Sequence, residues 1–529
     1  MNIDKLFING NIYTMRVENE KIESFGTLGD EIVFTGSNID ALDIKKYAKE
    51  VVDLENQVIV PGLTDSHMHL FAHCKNLEDV NLETARSIVD VIQLMKIKTE
   101  KTAPGKWIKG VNFDDNKFSE GRLPTKNDLD KISTVHPFII RRSCLHVVCA
   151  NSLALSLAGV VKGYIPEVKG TVEYDSEGEP TGIVRERAIK VFDQIIPDSF
   201  NNREERKEAI AQVLRDIASS GLTTVHTYAA KLWRYEEDIT IYRELEKEGR
   251  LPVRVLVCLD EIFEKEDYND TKLSRVNYGA YKLFVDGSLG ARSAALLKPY
   301  SDDQNNYGIL ICSQEELNNK MINAYGKGMQ PAIHAIGDKA LEMTVSSIEN
   351  VLKIFPYNGQ RFRIIHAQLI NANLLERMKR LPLVVDIQPS FVSTDLHWVK
   401  DRLGENRIRH AAYAWKTMVD AGLILTGGSD CPVVSYNPFE GIFSAVTRQD
   451  CKGYPLGGWY PEEKLSVYES ICLFSKNAAY ATGEENVKGT IEIGKLADFI
   501  IIDRDPFLIS PVDILQVKVL KTFVGGEES

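Results

Sequence analysis

No CxxC pair occurs among the eight cysteines, which are scattered over 529 residues. That excludes a thiolate zinc finger and the dense disulfide framework of a small secreted fold. Nowhere do about 18 apolar residues run together, so no membrane-spanning helix is expected. The start, Met1 to Thr14, has no basic stretch followed by a continuous apolar one, which speaks against a secretory leader. Positive charge is also short. The 63 Lys and Arg stand against 75 Asp and Glu, a net charge of −12, which disfavours nucleic acid or an anionic membrane surface as the main partner. No GxGxxG or Walker pattern marks a phosphate cradle, and no solenoid repeat or low-complexity tract is present. These absences leave a cytoplasmic protein with free thiols, acting on an uncharged or cationic small molecule.

What is present is the composition of a folded chain, 44% hydrophobic and 26% charged, which argues against disorder. Short extended pieces punctuated by Gly and Asn open the sequence, such as Leu6 to Tyr13 and Glu31 to Gly36, and a similar texture returns in Gly489 to Gly494 and Ala497 to Asp503. The two ends, residues 1–58 and 484–529, are therefore expected to build one small β-sandwich-like domain around an inserted middle, 59–483. In that middle, apolar runs alternate with segments of helical period. Eight are strand candidates: Val58 to His69, Thr223 to Thr227, Val253 to Leu259, Ala280 to Asp286, Pro331 to Ile336, Phe362 to Ala367, Leu383 to Gln388 and Leu423 to Gly428. Helix-like stretches follow the later ones, including Lys339 to Ile354, Asn373 to Leu381 and Ala411 to Ala421. Eight βα units predict an α/β fold, a TIM (β/α)8 barrel. The long gap after the first strand predicts an insertion over about 75–205 at the C-terminal rim, a lid or specificity segment.

The strongest local signal is Pro61-Gly62-Leu63-Thr64-Asp65-Ser66-His67-Met68-His69. Residues two apart on a strand share a face, so His67 and His69 aim at one point, with metal-ligand spacing. Packing or hydrogen bonding alone would account for the pair equally well. The ends of other strands break the tie: His334, His366 and Asp430 each close an apolar strand, where a TIM barrel keeps its catalytic groups. Lys282 is out of place in the otherwise buried strand Gly279 to Asp286. An unpaired ammonium there is costly. Either it pairs with a carboxylate such as Asp286 or Asp430 or reaches the rim, or its depressed pKa lets it take up carbon dioxide and serve as an anionic metal ligand.

PGLTDSHMHL, YKLFVDGSLGARSAAL, IHAIGDKAL, IIHAQL, GGSDCPV and the tail GKLADFIIIDRDP resemble the amidohydrolase superfamily, in particular amidohydrolase family 3 and its YtcJ-like branch, which includes N-substituted formamide deformylase. TGIVRE at Thr181 to Glu186 and Trp107 with Gly110 resemble the branch's inserted region. The resemblance spans nearly the whole chain. It implies that His67 and His69 bind the more buried metal, that Lys282 is the ligand of the fourth strand, and that His334 and His366 bind a second metal or orient the substrate carbonyl. Asp430 would be both ligand and general base. The implied activity is hydrolysis of a C–N bond, an amide or N-substituted formamide, by metal-activated water. Zinc, one ion or two, is the first choice of metal, though nitrogen and oxygen ligands also accept iron, manganese or cobalt. N6-carboxylation of Lys282 would bridge two ions. A homodimer is the family-derived expectation for assembly.

Two rivals stand beside this reading. A hydrolytic deaminase uses the same barrel but has no use for a carbamate on the fourth strand, and a retired barrel would bind or scaffold without metal. His146, Arg292 and Arg448 sit in family-like motifs yet stay outside the catalytic set, because a loop Arg is more often a solvated ion-pair partner. His226 reads equally as a core residue, and Cys431 lacks the His pairing of a nucleophile. Gly62, Gly287, Gly290, Gly427 and Gly428 are expected to serve tight turns at the rim.

Overall fold

A computed structural model describes residues 2–76, 79–144, 146–166, 170–197, 200, 202–229, 236–262 and 274–529. Its central sheet has eight parallel strands hydrogen-bonded in chain order: Leu63–Met68, Leu222–Ala229, Arg254–Leu259, Val276–Phe284, Pro331–Ala335, Phe362–His366, Leu383–Ile387 and Ile424–Gly427. Most of their residues are buried, as a parallel sheet covered on both faces requires, which is why these segments read as near-continuous apolar runs. The ring closes between the last and first strands. Thr426 Oγ1 donates to Ser66 Oγ at 3.0 Å, and the Asp430 N–H donates to the His67 carbonyl at 2.6 Å. The protein is a TIM barrel.

The expected first strand, Val58 to His69, is in fact two. Val58–Pro61 runs antiparallel to Phe499–Ile502 and parallel to Asn11–Tyr13, in a six-stranded sheet that draws on both ends of the chain. The chain crosses into the barrel at Gly62, whose N–H donates to the Asp498 carbonyl at 2.9 Å. A side chain at Gly62 would place its Cβ 2.3 Å from Thr223 Oγ1, so the crossing admits hydrogen alone. A four-stranded sheet of Glu31–Gly36, Ser24–Leu28, Ile3–Ile8 and Ala48–Asp53 packs against the six-stranded one through a common core. Phe7 stacks on Phe25 at 4.7 Å and Phe499 on Phe523 at 4.4 Å between ring centroids. Arg254 of the third barrel strand forks onto Asp498 at 2.8 and 3.0 Å and fastens this unit to the barrel.

Between the first and second barrel strands the chain forms a separate six-stranded sheet, ordered Gly170–Tyr174, Pro180–Glu186, Val147–Ala150, Phe138–Arg142, Ile108–Phe113 and Val80–Asn81. Alternation along its strands feeds two apolar clusters, Phe113, Phe138 and Ile140 on one face, Ile139, Val148 and Val184 on the other. Helix Arg203–Ser219 then returns the chain to the barrel.

The helix expected over Ala411 to Ala421 is also divided. Glu405–Ala411 and Trp415–Asp420 flank Tyr413, whose φ is +51°. Tertiary hydrogen bonds override local propensity there: the Tyr413 N–H donates to the Gln368 carbonyl at 2.9 Å and its hydroxyl to Asp395 at 2.6 Å. Among the described residues, no helix is long and apolar enough to cross a membrane.

Candidate metal centre

The C-terminal ends of the barrel strands open into a cavity of about 940 Å³, roofed in part by the insertion. At its floor the sequence-predicted donors converge. One nitrogen or oxygen each of His67, His366 and Asp430 lies within 4.8 Å of the others, a group that could hold a metal ion. His69 joins them through Asp430, since Nε2 of His67 and Nε2 of His69 approach the same carboxylate oxygen, Oδ1, at 3.2 and 3.1 Å. The shared face expected of an HxH strand is therefore realised. His334 stands one ring further out, 4.5 Å from His366 between centroids.

Three of the four rings, those of His69, His366 and His334, are each turned by a hydrogen bond. His69 Nδ1 meets the Tyr228 carbonyl at 3.0 Å, His366 Nδ1 meets Gln388 Oε1 at 2.6 Å, and His334 Nε2 meets the Gly287 carbonyl at 3.1 Å. Such partners fix which nitrogen faces a cation. Burial lowers the pKa of His366 to about 4 and that of His334 well below the ordinary value, so both rings are neutral and free to donate a lone pair. Burial opposes ionisation of Asp430, but His67 and His69 outweigh it and hold the carboxyl well below its usual range. Backbone strain collects at the same strand ends, with φ of +79° at His366 and +58° at Asp430.

Two buried groups here have no hydrogen-bond partner among the described residues: both nitrogens of His67, whose contact with Asp430 is not aligned as a bond, and Lys282 Nζ. The ion pair considered for Lys282 does not form. Asp286 instead accepts from the backbone N–H groups of Ala295, Ile336 and Gly337, at 2.8 to 3.0 Å. Lys282 Nζ lies over the rings of Tyr228 and Phe284, at 4.7 and 4.9 Å, and burial lowers its pKa to about 7. Imidazoles and a carboxylate gathered around one point, with the buried His67 ring unsatisfied among them, are the donor set a divalent cation would complete.

Beneath the floor lies a network that the sequence reading did not single out. Arg363 and Asp386, both fully buried, pair at 2.9 and 2.7 Å. Arg363 Nη2 also donates to the Ser66 carbonyl at 2.8 Å, beside His67, and Nη1 lies 3.4 Å from His226 Nδ1. Asp65 accepts from the N–H of His67 at 3.0 Å and from the Ser429 hydroxyl at 2.5 Å, tying the first strand to the loop that carries Asp430. Arg363 lies in the quoted strand beside His366, but its partner is on another strand, and one chain gives no sign of which buried charges meet.

The residues held back from the catalytic set separate. Arg292 is a partly exposed partner of Asp302 at 2.9 Å. Arg448 is fully buried on the carbonyls of Trp459 and Tyr413, at 2.7 and 3.1 Å, away from the cavity. Cys431 lines the cavity, but burial pushes its thiol well up, so it is no nucleophile. His146 reaches the cavity from the insertion, its Nδ1 2.8 Å from Glu186 Oε2. Burial opposes the imidazolium of His146, and Glu186 outweighs it, raising the pKa to about 9. Gly290 lies in the expected rim turn, closed by the Arg292 N–H on the Leu289 carbonyl at 3.0 Å, while Gly62, Gly287, Gly427 and Gly428 serve close approach. None of the five has a positive φ; a Cβ on Gly428 would meet the His67 nitrogen at 2.6 Å, and one on Gly287 would meet Ser293 Oγ at 2.2 Å.

Residues 50–529 match the family model described as "Amidohydrolase family". The YtcJ protein of Bacillus subtilis is 33% identical, with 98% of each chain covered. The N-substituted formamide deformylase of Arthrobacter pascens is 27% identical over 99% of this chain and 97% of its own. Among solved structures, an uncharacterized metal-dependent hydrolase from Pyrococcus horikoshii superposes with a TM-score of 0.76 at 29% identity, covering 96% of this chain and 99% of that one.

Proposed function

The chain belongs to the amidohydrolase family as a metal-dependent hydrolase, and from that premise we propose that it cleaves the C–N bond of an amide, N-substituted formamides included, in a small molecule. One observation carries the reading: the imidazoles of His67 and His69 converge on a single oxygen of the Asp430 carboxylate, with Lys282, whose Nζ has no hydrogen-bond partner among the described residues, among the same charges. His67, His69, His334, His366 and Asp430 would hold the metal, zinc by the match of nitrogen and oxygen donors. When bound, the metal lowers the pKa of water and polarises the carbonyl. Burial lowers the pKa of Lys282 to about 7, so its unprotonated amine could attack carbon dioxide and lose a proton, and the resulting carbamate would join the donors that hold the metal.

The protein's own groups do the rest. Asp430, ionised and opening onto the cavity, takes a proton from the attacking water and returns it to the leaving nitrogen, so that amide and water become carboxylic acid and amine. His334 and His366 remain neutral, and His69, His366 and His334 keep their orientation through Tyr228, Gln388 and Gly287. Phe391, Trp398, Tyr436 and Phe443 line the wider cavity, which has room for a substituted amide far larger than formamide. The unpaired thiols fit a reducing compartment, the cytoplasm.

Elemental analysis and intact mass of protein purified without chelator, followed by a screen of N-substituted formamides and other amides, test this. The expected result is one or two divalent ions per chain, added mass of carbon dioxide on Lys282, and amine release. Asp430→Asn should keep most of the metal and lose turnover, whereas His67→Ala should lose both. A chain that takes up no metal after resupply would refute the proposal.

A further inference from the structure

One polar pair on the cavity wall takes no part in the chemistry above. His146 belongs to the insertion, and Glu186, 9% exposed, ends the strand Pro180–Glu186 with a φ of +55°. Glu186 is wedged against the rim loop that follows the fourth barrel strand, where a Cβ on Gly287 would lie 2.7 Å from Glu186 Oε1. The carbonyl of the same Gly287 orients His334. One short loop therefore sets both the outermost imidazole of the donor cluster and the carboxylate that holds His146. The ring of His146 lies 5.9 Å from that of His334 between centroids, and its side chain keeps one-fifth of its surface open. With Nδ1 committed to Glu186, Nε2 is left with no hydrogen-bond partner among the described residues. The Glu186 carboxylate on Nδ1 holds the ring as an imidazolium, in which both nitrogens carry hydrogen, so Nε2–H on the cavity wall is a donor aimed at a ligand.

We infer that His146 is a catalytic residue delivered by the insertion, its Nε2–H donating to the oxygen of the scissile carbonyl, with Glu186 as its positioning residue. The inference rests on the amide-hydrolysis reading and deepens it. As the water oxygen bonds to the carbonyl carbon, the C=O π pair moves onto oxygen, and the Nε2–H hydrogen bond strengthens with the charge. When the pair returns, the C–N bond breaks and nitrogen leaves with the proton that Asp430 took from water. His146 keeps both of its ring protons throughout. A barrel floor that supplies donors for the attacking water is thus completed by an insertion that supplies the donor for the oxyanion, and substrate must sit between the two.

The test uses the full-length protein loaded with zinc, the amide turned over fastest in the screen, and formate and benzoate as carboxylate probes for calorimetry. His146→Ala should lower kcat about a hundred- to a thousandfold, with KM within a few-fold and metal content unchanged. Glu186→Gln should lower kcat less and weaken the downfield imidazole N–H signal in proton NMR, and His146→Gln, which retains an N–H, should recover part of the loss. Carboxylate binding should weaken by about tenfold or more in His146→Ala. An unchanged kcat, a change in KM alone or a loss of metal would overturn the assignment. If the wild type hydrolyses no amide but binds the carboxylates through His146, the amide reading fails and the donor stands; carboxylate affinity equal in wild type and His146→Ala removes the donor, and no binding by either removes both.

Discussion

Replacing Arg363 with Leu removes the cation from a pair in which neither side chain is exposed to solvent. Asp386 then loses two charge-assisted contacts, at 2.9 and 2.7 Å, and the Ser66 carbonyl loses its donor at 2.8 Å. Breaking one side of a buried pair costs about 3–5 kcal/mol, because the remaining charge stays desolvated. Replacing both Arg363 and Asp386 by Leu leaves no orphan charge and should cost less than Arg363→Leu alone. pH gives an independent check of sign. Burial already raises the pKa of Asp386, and without Arg363 it rises further, so the folded variant takes up a proton more readily than the unfolded chain. Its deficit relative to wild type should therefore shrink as pH falls from about 8 to about 5.5 and grow as pH rises. Urea unfolding followed by tryptophan fluorescence at the two pH values measures this. A loss below about 1 kcal/mol, or a double variant as unstable as the single, would refute the argument.

Gly428→Ala sets a Cβ against backbone at the seam of the barrel, 2.6 Å from the His67 nitrogen, and should cost about 1–3 kcal/mol of stability and lower metal occupancy, read by urea midpoint and elemental analysis. Burial raises the pKa of Asp498, but Arg254 outweighs it and the net shift is down, so this pair stabilises above the ordinary carboxylate range and its contribution fades as pH falls. Asp498→Asn should therefore lower stability at neutral pH and flatten the acid limb of the stability profile; an unaltered acid limb would contradict it. Chelation should lower the melting temperature and metal should restore it, by an amount near 2.7 kcal/mol at a free concentration of about a hundred times Kd.

Much of the barrel could be read from the chain because its strands are covered on both sides, and a two-sided burial requirement writes itself as an unbroken apolar run. The donors His67, His334, His366 and Asp430 stood out for the same reason, as polar residues ending such runs. What stayed hidden depends on pairs far apart in sequence. The break at Gly62 follows from pairing with Ile500 and its neighbours, more than 400 residues later, which no local pattern reports. Arg363 with Asp386, and His146 with Glu186, are each unremarkable polar residues until the fold sets them side by side. Gly290 serves a turn as expected, but Gly62 and Gly428 clear space for a neighbour instead, because a missing side chain looks the same in sequence in either role.

The crossing at Gly62 also has a consequence for biosynthesis. Val58–Pro61, which leads straight into the strand bearing His67 and His69, finds its neighbour Phe499–Ile502 only after more than 400 further residues have been made. The first two histidines of the centre thus leave the ribosome long before the strand that leads into theirs is bordered on both flanks. A nascent chain stopped before residue 499 would expose an apolar edge next to its metal donors, so the final strands act as the latch of assembly, and truncations there should be cleared by proteolysis rather than accumulate as partly active enzyme.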